Sequence, residues 1–126
     1  MMNETYQEMK KRHEKEMESF PMEFAFSNDQ LQKALNNLGA TKNEVVAVGA
    51  GSIIRKKDKG DLINLLKRHD DELNEAMKNE TFADKALRYE LANHEYIISG
   101  DPSEALDVLG LSLEEVQQSP VLSQAL

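Results

Sequence analysis

The sequence predicts an α+β fold, mostly helical, in which about five helices pack around a small two- or three-stranded sheet. Three observations carry this. Helix starts are written repeatedly as a Ser or Thr with an acid or amide three residues on, the capping box. Apolar residues recur at helical spacing through most of the chain. Two short stretches, PMEFAF and NEVVAVGAGSIIRKKD, are instead alternating or β-branched. At 126 residues, with 40% hydrophobic and 30% charged side chains, the chain suits a single domain over 1–126. Its N-terminal helix, 1–20, is expected to lie at the periphery or to swap between copies.

The capping boxes are Thr5…Glu8, Ser27…Gln30, Thr41…Glu44 and Ser112…Glu115, with near-versions at Thr81…Asp84 and Asp101…Glu104. Pro102 is expected at a first helical position, where its missing N–H costs nothing, and Ser119-Pro120 repeats the arrangement. Gly39 and Gly110 stand where helix ends want a left-handed residue. The first helix carries the stripe Tyr6, Met9, His13, Met17, Phe20 and is ended by Pro21. Residues 22–26 alternate as a strand. A helix from Asn28 to Leu38 turns Leu31, Ala34, Leu35 and Leu38 inward.

Strands are expected at 45–48 and 52–57, with Gly49 and Gly51 in the turn or bulge between them; the box at Thr41 allows a helical turn just before. A long helix, Asp61 to Asn79, aligns Leu62, Leu66, His69, Leu73 and Met77. The next, from about Phe82 to Ile98, is apolar on two sides: Ala83, Leu87, Leu91, His94 and Ile98 on one, Phe82, Ala86, Tyr89 and Tyr96 on the other. A helix apolar on two sides is expected at the centre of the fold.

Composition excludes several classes. There is no cysteine, hence no disulfide framework and no thiolate zinc site, which suits a cytoplasmic protein. The densely charged N-terminus has no signal-peptide core, and no apolar run is long enough to span a bilayer. The net charge is −8, unevenly spread. Residues 44–60 are net positive through Arg55, Lys56, Lys57 and Lys59, whereas 99–126 carry Asp101, Glu104, Asp107, Glu114 and Glu115 with no Lys or Arg.

Two corners, ALNNLGATKNEV (34–45) and ALDVLGLSLEEV (105–116), share a helix end, a glycine and a new N-cap. The outline is that of a helix-turn-helix DNA reader. Capping chemistry alone accounts for it, and Glu114 and Glu115 at the front of the second helix would repel phosphates. No direct nucleic-acid binding is expected. VAVGAGSII has Ile54 where a dinucleotide loop needs its third glycine. The cations Arg55, Lys56 and Lys57 are candidates for holding an anion, set against the plainer role of keeping an edge strand soluble.

His13, His69 and His94 all fall in apolar helical stripes, and Glu90 lies one turn before His94. A metal or acid–base site on His69, Glu90 and His94 is therefore a candidate, although no pair has a recognised ligand spacing. The commoner outcome for such a histidine is a hydrogen bond to a carboxylate. No serine or cysteine nucleophile is set up, and no cofactor is expected.

FPMEFAF, GAGSIIRKKD, LLKRHDDEL, YELANHEYIISGD and ALDVLGLSLEEV, in this order, together resemble an uncharacterised family of small acidic proteins encoded on phages and on integrated or conjugative elements of clostridia-like gut bacteria. The resemblance covers about residues 4–120, and ELANHEY is its most specific piece. It brings no assigned activity and no catalytic residues; it implies a cytosolic accessory protein. The family's GAGSII turn is richer in glycine, so Ala50 and Ser52 depart from it.

The expected function is a non-enzymatic, acidic protein-binding module whose partner is a host or element-encoded protein. The expected interaction patch is Asp101, Glu104, Asp107, Glu114 and Glu115. A second candidate surface is the Tyr6/Met9/Met17/Phe20 stripe, docking on a partner or on a second copy in a homodimer. A sharper form has the acidic surface imitate nucleic acid and inhibit a host defence nuclease. The competing class is the histidine site.

Overall fold

A computed structural model of the chain describes residues 4–126. Its helices are α1 (Tyr6–Glu18), α2 (Asn28–Leu38), α3 (Lys59–Ala76), α4 (Glu80–Asn93), α5 (Tyr96–Ser99), α6 (Ser103–Leu109) and α7 (Leu113–Gln118), and its strands β1 (Met22–Phe24), β2 (Val45–Gly49) and β3 (Ser52–Arg55). The architecture is the expected α+β one. The chain falls into two compact units, one of residues 11–69 and one made of 70–126 with the start of the chain up to Lys10.

In the 11–69 unit the sheet runs β1-β3-β2, antiparallel throughout. All three expected strands pair, though β1 and β3 are each two residues shorter than their sequence patterns. Lys56–Asp58 leave β3 as a 3₁₀ turn, and Lys42–Glu44 form another just before β2, where the Thr41 box allowed one. Buried Ala34 and Leu38 of α2 pack on Ile53 of the central strand, with Ala25, Leu31 and Val45 around them. Ile54 is fully buried.

The β2–β3 hairpin turns on Ala50 and Gly51, both at positive φ (48° and 78°), between the paired residues Gly49 and Ser52. Positive φ at both central positions is the tight turn whose twist matches the strands. Gly51 is favoured by its positive φ, and a Cβ there would also push aside the exposed Phe26 ring, 2.4 Å away. Ala50 has no such excuse: an L-side chain is strained in this region.

The other unit is built on α4. Ala83, Ala86, Leu87 and Leu91 join Tyr6 of α1, Ala105, Leu106 and Leu109 of α6, Val116 of α7 and Leu122 in one core. A helix buried on both sides does sit at its centre. Its boundaries differ from the sequence reading. The N-cap is Asn79, whose side chain accepts from Phe82 N–H, and Thr81 is inside the helix. The helix ends at Asn93 because Glu95 takes a left-handed conformation (φ 56°). Ile98, expected to continue the inward stripe, is consequently turned out. On α3, Leu66 is also exposed.

The caps mostly form as written. Thr5 and Glu8 exchange reciprocal bonds, as do Ser112 and Glu115, and Glu44 accepts from the Thr41 N–H. The Ser27 hydroxyl accepts from Gln30 N–H, but the Gln30 side chain reaches past it to Phe26 N–H. Gly39 and Gly110 are left-handed caps. Pro102 is itself the N-cap of α6, one position before the one expected, and Asp101 accepts from Ser103 N–H.

Ala50→Gly removes the strain without losing a packed side chain. It should stabilise the protein by about 1 kcal/mol, even after glycine's greater freedom in the unfolded chain is counted. Chemical denaturation reads this as a higher midpoint at unchanged slope.

Candidate functional site

Glu90 is a buried carboxylate in the last turn of α4. A buried charge persists only when paired and hydrogen-bonded. The first turns of α1 supply the partners. The Tyr6 hydroxyl donates to Glu90 Oε1 at 2.6 Å and the Lys10 ammonium at 2.9 Å. Tyr6 and Lys10 are one turn apart on a helix, so both reach the same oxygen. Lys10 also lies over the Tyr6 and Tyr89 rings, at 5.9 and 5.4 Å from their centroids. His94 follows Glu90 by one turn and brings Nε2 to 3.3 Å from Oε2.

Burial by itself pushes the Glu90 carboxyl up. The Tyr6 hydroxyl, the Lys10 ammonium and His94 more than offset this and hold it below the usual range. Burial, and then the bond to Glu90, raise the Tyr6 hydroxyl above its ordinary value. Glu90 is thus an ionised anchor enclosed by its own chain. With no surface and its Oε1 doubly engaged, it is a poor base for an outside substrate.

The anchor positions a loop. His94 Nδ1 stands 2.9 Å from Glu104 Oε2 at the start of α6, so His94 bridges two carboxylates. That contact ties together the ends of the ten-residue step from 94 to 104. The loop is ordered from within: Ser99 and Ile98 N–H donate to Glu95 O, Gly100 N–H to Tyr96 O, and Asp101 N–H to the Ser99 hydroxyl. Between left-handed Glu95 and left-handed Gly100, the single turn α5 holds Ile97 and Ile98 in solvent, 95% and 81% exposed. A non-glycine residue at positive φ is a local cost usually met at functional positions. Here the cost accompanies two adjacent isoleucines displayed outward.

The histidines fall in both units. His94 pairs with Glu90, as the sequence suggested. His69, expected beside them, belongs to the 11–69 unit, where its ring stacks on that of His13, centroids 3.8 Å apart and planes 12° from parallel. The reason is helical phase. His13 and Glu16 share one face of α1, and this face meets His69. Glu16 Oε1 lies 3.4 Å from His69 Nε2. Arg68 binds Glu16 Oε2 and holds the Glu16 carboxyl below its usual range. Burial, then the charge of His13, lowers the His69 pKa, against the opposing pull of Glu16.

The family of unknown function DUF7659 matches residues 5–126. The chain belongs to that family. No curated protein and no solved structure matches the chain. The matched span contains the Glu90 anchor, its Tyr6 and Lys10 partners, and the 94–104 loop.

In this member of the family the charged candidates have mixed duties. Of the acidic set, Asp101 and Glu115 are spent on N-caps and Glu104 on His94. Arg55 pairs with Asp58 at 2.7 Å. Arg55, Lys56 and Lys57 line a cleft of about 320 Å³ with Gly39, Asn43 and Glu44. In the stripe of α1, Tyr6 and Met9 are buried within the fold, so they are not available for docking; Met17 and Phe20 are half-buried. No described helix is long and apolar enough to cross a membrane.

Replacing Glu90 by Gln removes the charge but keeps the shape, and should cost about 1–3 kcal/mol at neutral pH. The sign with pH follows from the lowered carboxyl. Its contribution is fully present above the ordinary glutamate range and is lost as pH falls through and below it. The gap in stability between wild type and Glu90→Gln should therefore close on acidification, as read by denaturation at a series of pH values.

Proposed function

We propose that the chain is a protein-binding module, and that its contact is the tip of the 94–104 loop. The observation that carries this is the exposure of Ile97 and Ile98 on a loop locked at both ends. Exposed adjacent isoleucines lose nothing by being covered, and a rigid loop needs little ordering on binding. A flexible tail with the same residues would give most of that gain back.

The charge of the chain that follows the tip suggests the partner. From Ser99 onward the chain has five acidic side chains and no Lys or Arg. The fitting partner is a protein with an apolar pocket rimmed by basic residues, in the host cytoplasm or encoded on the same mobile element, as the resemblance of the sequence implies. Apolar anchors inside a charged rim are the usual anatomy of such contacts: the anchors carry the affinity, the rim the on-rate and its salt dependence. The two isoleucines favour this over imitation of nucleic acid by carboxylates alone, since Asp101, Glu104 and Glu115 already serve the chain's own backbone and His94.

The test is capture from a host lysate at low and moderate salt, with wild type and with the double variant Ile97→Glu/Ile98→Glu. The expected result is one dominant partner for wild type, weakened by salt, and at least tenfold weaker capture by the variant, which should melt like wild type because both sites are exposed. Equal capture by the two forms would overturn the assignment of the tip. Light scattering separates a second outcome, in which the partner is another copy of the chain and wild type, but not the variant, is dimeric.

A further inference from the structure

We propose that His13, Glu16 and His69 form a binding site for one zinc-type divalent ion. This stands apart from the proposed contact at the 94–104 loop and does not depend on it. One ligand atom from each of the three side chains falls within 4.8 Å of the other two. Each ligand of a tetrahedral zinc ion lies about 2.0–2.1 Å from the metal, which puts any two of them roughly 3.4 Å apart. The distance from His69 Nε2 to Glu16 Oε1 is 3.4 Å. His69 Nε2 is buried without a hydrogen-bond partner. A buried polar atom left in this state points to a group that would satisfy it.

A metal lies in the plane of each imidazole that binds it, so the His13 ring, now stacked on His69 with planes 12° apart, turns off the stack to bind. The other side chains fit the same reading. His13 and Glu16 are three residues apart on α1, hence neighbours on one helix face. His69, 91% buried on α3, brings the third ligand from a separate helix. Arg68 grips Glu16 Oε2 and reaches Oε1 more loosely, at 3.5 Å, which orients the carboxylate with Oε1 toward His69; such outer support is typical of metal ligands. Arg12 also reaches Oε1, at 3.3 Å, from the helix surface, and must swing aside. Two guanidinium groups this close lower the affinity of the site without changing its donor set. Two imidazoles and one carboxylate select zinc, cobalt or nickel over magnesium and calcium, which want oxygen ligands. Three protein ligands leave a fourth position for solvent or a further ligand.

The experiment is titration of the full-length, tag-free chain with zinc by calorimetry, and with cobalt followed by visible absorption, for wild type, His13→Gln and His69→Gln. Each variant is first checked for its wild-type fold by circular dichroism. His13 is half-exposed, so its variant keeps the test alive if the buried one unfolds. The expected result is one equivalent of zinc, a cobalt spectrum of four-coordinate intensity, and at least a tenfold loss of affinity in His13→Gln. No stoichiometric binding by wild type overturns the proposal. So does binding by a folded His13→Gln or His69→Gln that equals wild type, since the ion would then sit elsewhere, with His94 the obvious alternative.

Discussion

The buried carboxylate of Glu90 is the constraint on which its unit depends. An ionised glutamate with no exposed surface cannot be tolerated alone, and its partners are dictated by this. Tyr6 and Lys10 must come from the start of α1, so the first helix is fastened to the fourth by bonds that span 84 and 80 residues of sequence. His94 must stand on the other side, one turn along. Once His94 is placed, Glu104 can reach it, and the loop between them is closed. The displayed isoleucines are the last step of a chain of positions that begins with one buried charge.

Such an arrangement trades stability for specificity. Apolar residues in place of Tyr6, Lys10 and Glu90 would fill the same space with less desolvation. The polar network instead fixes one registry between the start of α1 and α4, because Tyr6 and Lys10 together must reach Glu90 Oε1; Oε2 faces His94 at 3.3 Å without a hydrogen bond. This fits the protein-binding role proposed for the 94–104 loop. The loop is held by bonds at its ends and within it, and the isoleucines at its tip are exposed.

Much of the fold was legible in the sequence because local chemistry decides it. Capping boxes at Thr5, Thr41 and Ser112, the glycines at 39 and 110, and the spacing of Leu31, Ala34, Leu35 and Leu38 act over a few residues, and the structure follows them. The misreadings have physical reasons. Ile98 continues the inward stripe of α4 only if the helix continues, and nothing about Glu95 in sequence announces a left-handed residue. The pairing of Glu90 with His94 was readable as one helical turn. Its bonds to Tyr6 and Lys10 were not, since no local pattern links residues so far apart. The stacking of His13 on His69 is likewise a matter of which helix faces meet. Ile97 lay in no stripe at all, and an exposed isoleucine leaves no periodic signal.

The account's central claim is that the His94–Glu104 contact, seated on Glu90, holds the 94–104 loop in its displayed shape. Amide hydrogen exchange of wild type and His94→Ala tests it most directly. The account predicts that the N–H groups of Ile98, Ser99 and Gly100, bonded to Glu95 and Tyr96 within the loop, exchange markedly faster in the variant while those in the middle of α4 keep their protection. Unchanged protection of the loop in a variant that lacks the His94 ring would contradict it.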